Sequence, residues 1–364
     1  MGAPIYLDHN ATTPLLPEVY DAILPYLREH FGNPSSGHAY GRRARAAVEE
    51  ARSQVSSLLG CAVDEVIFTS GGTEANNLAI RGVAEVSGAR RHVITSTLEH
   101  PATAAPCLYL AEHGYSVDAV AAEADGRVRA SDVGERMSDR TALVTVMHAN
   151  NETGTLQPIA EIARAAHACG AAVHTDAAQS VGKIAVRVDD LGVDLLTLAG
   201  HKLNATKGVG ALYVRRGIAL APFVRGAGHE RGLRPGTENV ASIVGLGVAC
   251  SLASRRLAAR YDGTRVLRDR LWTLLSDGVP GIALNGHATL RLPNTLNVRF
   301  PGATGSAVLA AAPEIAASTG SACHEGDDAA SFVRLSVGIT TTEAEVDTAA
   351  AALVVAWQRA KGAR

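Results

Sequence analysis

The chain has 364 residues, 47% of them hydrophobic and 19% charged, with a formal net charge of −2. That length exceeds one minimal domain and suits a large domain with a smaller companion around a sizeable apolar core. The near-neutral balance, with no long run of either sign, argues against nucleic acid or an anionic membrane as a primary partner.

No apolar run reaches the ~18 residues of a membrane span. The start, Met1-Gly2-Ala3-Pro4, lacks a secretory-signal pattern, and Tyr6 stands where acylation of Gly2 would need Ser or Thr. The five cysteines, Cys61, Cys107, Cys169, Cys250 and Cys323, include no CxxC pair and have no regular spacing. An odd, irregular set reads as reduced thiols and a cytoplasmic protein.

Taken in order, residues 5–7 form a short apolar strand, and Asp8-His9-Asn10-Ala11-Thr12-Thr13-Pro14 a polar turn. Pro17 opens a helix over 17–28, and Phe31-Gly32-Asn33-Pro34-Ser35-Ser36 breaks it. Ser36 is the expected N-cap of an amphipathic helix over 38–59. Strand and helix patterns then alternate. Strands are expected at 65–69, 92–95, 115–120, 142–147, 171–174, 194–198 and 209–214. Helices start at Ser70-Gly71-Gly72-Thr73 and at Pro101, and another covers 159–169. Short apolar strands separated by helices predict an α/β domain whose mostly parallel sheet is covered on both faces. After about 239 a long Ala/Leu/Arg helical region runs to about 276. Strands at 294–298, 315–317 and 332–335 and a helix over 342–360 follow. The expected division is a large domain over 14–250 and a small α+β domain from 1–13 and 251–364.

Ligands of open parallel sheets bind beyond the carboxyl ends of the strands, and several polar clusters fall there. Only four residues are lysines, Lys183, Lys202, Lys207 and Lys361. Lys202 follows a buried strand through Ala199-Gly200-His201. A buried lysine loses its proton readily and can form an imine, which arginine cannot, so Lys202 is read as the carrier of pyridoxal phosphate. Asp176, at another strand end and 26 residues earlier, would sit beside it. It either caps the next helix or pairs with a protonated pyridine nitrogen, with Gln179 reaching the ring's phenolic oxygen. Gly72 and Thr73 open a helix and serve equally as a plain cap or a phosphate cradle. His100 is a ring-stacking residue or a structural histidine. Asn150-Asn151-Glu152-Thr153-Gly154 marks a further strand end. In Ser318-Thr319-Gly320-Ser321-Ala322-Cys323-His324-Glu325-Gly326 nothing apolar surrounds the thiol, which suits a travelling nucleophile. Arg334, inside an apolar strand, calls for an anionic partner such as a substrate carboxylate.

Together these stretches resemble the cysteine desulfurases, the class V aminotransferase branch of fold-type I pyridoxal-phosphate enzymes. The matching motifs include Tyr6-Leu7-Asp8-His9-Asn10-Ala11-Thr12-Thr13-Pro14, Gly32-Asn33-Pro34-Ser35-Ser36, Gly72-Thr73-Glu74-Ala75-Asn76-Asn77 and Glu99-His100. They continue with Asn150-Asn151-Glu152-Thr153-Gly154, His174-Thr175-Asp176-Ala177-Ala178-Gln179, Gly200-His201-Lys202, Arg231-Gly232-Leu233-Arg234, Gly236-Thr237-Glu238-Asn239 and Gly320-Ser321-Ala322-Cys323, in family order. The resemblance implies removal of sulfur from L-cysteine, leaving alanine and a persulfide on Cys323 for an unidentified acceptor protein, as in iron–sulfur cluster biogenesis. It implies a homodimer without direct contact to nucleic acid or membrane, and no metal.

By position, Lys202 holds the cofactor and shuttles protons, and His100 stacks on the ring. Asp176 meets the pyridine nitrogen and Gln179 the phenolic oxygen. Gly72, Thr73 and His201 bind the phosphate, with Thr237 reaching across from the second subunit. Asn33, Asn151 and Arg334 hold the substrate carboxylate, with Asn151 also lining the cofactor. Three departures stand out. Ala199 replaces the family's usual serine, Leu203-Asn204-Ala205-Thr206 replaces its usual turn, and only ten residues separate Cys323 from Arg334. The alternatives are a selenocysteine or other C–S lyase, which would not depend on Cys323, and an inactive dimeric sulfur-relay scaffold.

Overall fold

The computed structural model describes residues 3–319 and 332–362. Cys323 and His324 lie outside the described residues. In chain order the strands are β1 (Ile5–Tyr6), β2 (Val66–Thr69), β3 (His92–Ser96), β4 (Ser116–Val120), β5 (Thr141–Thr145), β6 (Ala172–Asp176), β7 (Leu195–Ala199) and β8 (Gly210–Val214). The strands β9 (Ala283–Leu284), β10 (Thr295–Arg299), β11 (Ile315–Ala316), β12 (Ser318–Thr319) and β13 (Phe332–Ser336) follow. The helices are α1 (Pro17–Arg28), α2 (Ala39–Leu59), α3 (Gly72–Val86), α4 (Pro101–Glu112), α5 (Ala130–Gly134) and α6 (Ile159–Ala168). They continue with α7 (Val188–Leu191), α8 (Val240–Arg255), α9 (Leu257–Gly278), α10 (Gly305–Ala310) and α11 (Glu343–Gly362).

Seven strands form one sheet in the order β2-β8-β7-β6-β5-β3-β4. All its pairings are parallel except those of β8, which runs antiparallel to both β2 and β7. The β7–β8 connection is too short for the helical crossover that a parallel pair needs, so the chain turns back on itself. Successive strand residues face opposite sides. Ile67, Leu143 and Leu195 pack with Leu78 and Ile80 of α3, while Phe68, Val144 and Leu196 pack toward Val48 of α2 and Leu246 of α8. This is the two-faced α/β sheet that the alternating pattern predicts.

A second core lies apart from it. Leu271 and Leu275 of α9 and Leu353 and Trp357 of α11 cover Leu296, Val298 and Leu335 of an antiparallel sheet ordered β12-β13-β10-β9. The N-terminal segment belongs here: β1 pairs with β11 in parallel, Leu7 is in the second core, and Asp8 bridges to Ser336.

Two local expectations are corrected. The N-cap of α2 is His38, whose Nδ1 accepts from the Gly41 amide at 3.4 Å. Ser36 is held in the preceding turn by its amide bond to the Asn33 carbonyl. That turn lies so close to the helix that a Cβ on Gly41 would come 2.2 Å from the Ser36 carbonyl oxygen. The long helical region is two helices, α8 and α9, meeting at 76°. Among the described residues no single helix is long and apolar enough to cross a membrane.

Candidate active site

Beyond the carboxyl ends of β5, β6 and β7 lies a cavity of about 230 Å³. Gly72, Thr73, His100, Asn151, Asp176, Gln179, His201 and Lys202 all line it. β6 and β7 are adjacent, with Asp176 registered opposite Thr197, so Asp176 and Lys202 leave neighbouring strand ends.

Lys202 closes the single 3-10 turn Gly200–Lys202 after β7. Gly200 is required there: a Cβ would come 2.8 Å from Val209 Cγ1 and 3.0 Å from its carbonyl oxygen. The Lys202 ammonium donates to the Asn10 carbonyl. Burial pushes its pKa down to about 8, aided by the charge of Arg334 and opposed by Asp176 and Asp8. The neighbouring imidazole of His201 is pushed down to about 4 by burial and then by Lys202, so it is neutral. Its Nδ1 lies 3.3 Å from Thr12 Oγ1, and its carbonyl accepts from the Thr13 amide and hydroxyl.

Asp176 uses its two oxygens differently. Oδ1 accepts from the Ala178 amide at 2.9 Å, a turn cap, and Oδ2 accepts from Asn76 Nδ2 at 2.7 Å. His100 likewise combines two tasks. Its Nδ1 caps α4 by accepting from the Ala102 amide at 3.1 Å, which leaves the ring hydrogen on Nε2. Burial first, then Lys202, lowers its pKa against Asp176. Gly72 and Thr73 begin the 15-residue helix α3, whose positive end faces the cavity. A Cβ on Gly72 would lie 3.5 Å from the Ala199 methyl, so position 199 itself offers no hydroxyl beside Gly72. The Gln179 side chain is engaged within the chain: Nε2 donates to the Asn10 carbonyl and Oε1 accepts from Lys183 Nζ.

Three expected site residues are not on this wall. Asn33 is exposed, with Oδ1 accepting from the Ser35 amide, and Thr237 is exposed on the loop before α8. Arg334 stands behind Asn151, donating to its carbonyl at 3.1 Å. Its anionic partner in this structure is Asp8, at 2.7 Å, and its Nε is buried without a partner among the described residues.

Sequence reasoning assigned no role to Asn10, Asn76 or Glu99. Asn76 sits between buried apolar residues of α3, and a polar residue there was the available signal. Asn10 is fully buried. Glu99 accepts from Ser96 Oγ at 2.6 Å and the Met147 amide at 2.9 Å, while burial pushes its carboxyl up to about 8.

The donor set fits pyridoxal phosphate. A braced carboxylate, a lysine with a lowered pKa, a neutral imidazole and a glycine-led helix N-terminus surround one cavity. Asp176 supplies a carboxylate and α3 a positive helix end to that cavity.

The family model for class V aminotransferases matches residues 5–348. A cysteine desulfurase of Trichormus azollae is 44% identical over 340 residues, 93% of this chain and 85% of that protein. The cysteine desulfurase NifS of Azotobacter vinelandii is 42% identical over 363 residues, 95% of this chain and 90% of that one. A solved NifS-like protein superposes with a TM-score of 0.93 at 34% identity, covering 98% of this chain and 100% of that chain.

Proposed function

This chain belongs to the class V aminotransferases and is a cysteine desulfurase, and from that premise we propose how its residues divide the work. Pyridoxal phosphate, when bound, supplies an electron sink conjugated to the α-carbon of L-cysteine. Lys202 holds it, takes the α-proton on Nζ and later returns a proton to the carbon skeleton. Asp176 keeps the ring nitrogen protonated, and Asn76 holds that carboxylate in place. His100 covers one ring face, while Gly72, Thr73 and His201 hold the phosphate. Asn151, which lines the cavity, holds the substrate carboxylate, with Arg334 bonded to its carbonyl; Asn33, exposed and off this wall, is not placed to join them in this chain.

Cys323 is the nucleophile. Its thiolate bonds to the substrate sulfur as the carbon–sulfur bond breaks. The electron pair of that bond leaves toward carbon, which takes up a proton and ends as alanine. The persulfide then passes to a separate acceptor protein, with iron–sulfur assembly as one destination. We further propose a homodimer in which Thr237, exposed and away from its own chain's cavity, reaches the partner's phosphate site. The observation that carries the reading is the pairing of Lys202 with a braced Asp176 across neighbouring strand ends.

The test measures alanine and protein persulfide formed from L-cysteine. Wild type makes both. Cys323→Ala keeps the cofactor's visible absorption and makes no persulfide, and Lys202→Ala turns nothing over. Sustained sulfide release by Cys323→Ala would make the chain a C–S lyase that does not need this thiol.

A further inference from the structure

Behind Lys202, on the side away from the substrate cavity, lies a smaller cavity of about 40 Å³ between the two cores. At roughly 10–15 Å³ per water-sized sphere it admits a monatomic ion or a few waters, and no amino acid. His9, Lys183, Lys202, Arg260 and Asn294 line it, and among the described residues no carboxylate does.

Arg260, on α9, is only 8% exposed, and its Nε and Nη2 are buried with no hydrogen-bond partner among the described residues. Lys183 donates to two neutral amide oxygens, Asn10 Oδ1 at 3.1 Å and Gln179 Oε1 at 2.9 Å. Burial, then Lys202 and Arg334, push its pKa well below the ordinary lysine value, a shift that a bound anion opposes; the ammonium has three donors, so one remains for that anion.

The carboxylates closest to influencing these groups are committed elsewhere. Glu18 of α1 acts on Arg260 but is paired with Arg256 at 2.9 Å. Asp8 acts on His9 but is paired with Arg334 at 2.7 Å. Glu345 accepts from the Thr342 amide at the start of α11. A buried guanidinium with unused donors, beside a buried lysine and without a paired carboxylate among the described residues, is costly. A small anion removes that cost by accepting from both groups.

We propose that this cavity binds one monatomic anion of the halide class, held by the Arg260 guanidinium and the Lys183 ammonium. The two cavities share Lys202 as a wall, but the residues proposed to hold the anion do not line the larger one. The wild-type holoenzyme crystallised with sodium bromide is expected to show an anomalous peak within hydrogen-bonding reach of Arg260 Nε and Nη2. In solution, bromide replacing gluconate at constant ionic strength is expected to raise the thermal midpoint saturably by about 2 °C. Arg260→Met is expected to lose that shift. Water alone at the site overturns the proposal, as does a peak in the crystal without a saturable shift in solution, or an undiminished shift in Arg260→Met. If that variant does not fold, the two wild-type measurements decide.

Discussion

Lys202 is chemically useful because its surroundings hold it near the edge of ionisation. With a pKa of about 8, it is mostly protonated at pH 7 and mostly free above pH 9. Only the free amine can bond an aldehyde. Cofactor uptake by the apoprotein should therefore accelerate as pH rises through about 8 and level off above it, followed by the growth of visible absorption after rapid mixing. A rate independent of pH between 6.5 and 9 would remove this account of the lysine.

Asn76 acts one step further out, through Asp176. A hydrogen bond to a charged group contributes about 1.5–3 kcal/mol. Asn76→Ala should accordingly weaken cofactor binding roughly 10- to 100-fold and shift the absorption of the bound cofactor, read by spectrophotometric titration. An unchanged dissociation constant would reduce Asn76 to packing. Nothing in the local sequence announces this role, because its partner lies 100 positions away. Lys202 and Asp176 were legible for the opposite reason: Asp176 ends one apolar strand and Lys202 lies one turn past another, a pattern visible in a short window.

Among the elements, the least comfortable backbone belongs to Glu230 and Arg231, both at positive φ (45° and 58°) without being glycine. Such residues cost about 1–3 kcal/mol each unless their surroundings enforce the conformation. Arg52 of α2 provides the enforcement, donating to both Glu230 oxygens at 2.7 and 2.8 Å, and the Phe68 amide of β2 adds a third bond at 2.8 Å. Both side chains are buried, so removing one leaves the other an uncompensated charge. Arg52→Met should destabilise the protein by about 3–5 kcal/mol, measured by urea unfolding. A loss below 1 kcal/mol would mean that the loop is held by other contacts.

Most elements follow from apolar periodicity, and α1 spans the residues that its proline start and the following break predict. The bend between α8 and α9 was not legible, since neither Gly nor Pro marks Arg256 and the hydrophobic pattern continues across it. The direction comes from tertiary packing: α8 lies along α1 and α2 of the large core, whereas α9 contributes to the second. The cap of α2 was misplaced for a similar reason, because Ser36 satisfies the preceding turn instead.

At the scale of the whole molecule, Asn10 joins the parts. Its side chain accepts from Lys183 and Asn294 and donates to Thr295 and the Asn151 carbonyl. Its backbone accepts from Gln179 and Lys202 and donates to Ser336. One residue thus touches Lys202, Asn151 of the cavity wall and the second sheet. Asn10→Ala would leave Lys183 and Asn294 short of an acceptor in a buried place. It should cost about 2–4 kcal/mol and lower cofactor retention, measured by unfolding and by dialysis followed by absorbance. A variant with wild-type stability would show that solvent replaces these bonds readily.

The joining of β1 and Asn10 to the second sheet also has a consequence in time. Asn10 leaves the ribosome 285 positions ahead of Thr295 and 326 ahead of Ser336, its partners in the finished chain. At ~5–20 residues per second it waits roughly 15–60 s for these two, although its other partners, Asn151, Gln179, Lys183 and Lys202, emerge earlier. The strands leading to Asp176 and Lys202 emerge during that wait and can pair into a sheet, yet Asn10 is tied to the second sheet only once the last third of the chain arrives. The first motif read is therefore fully seated only after the later ones have been made. Chains stalled before residue 295 should bind pyridoxal phosphate weakly, and an affinity equal to that of the full chain would show that the cradle forms without its earliest segment.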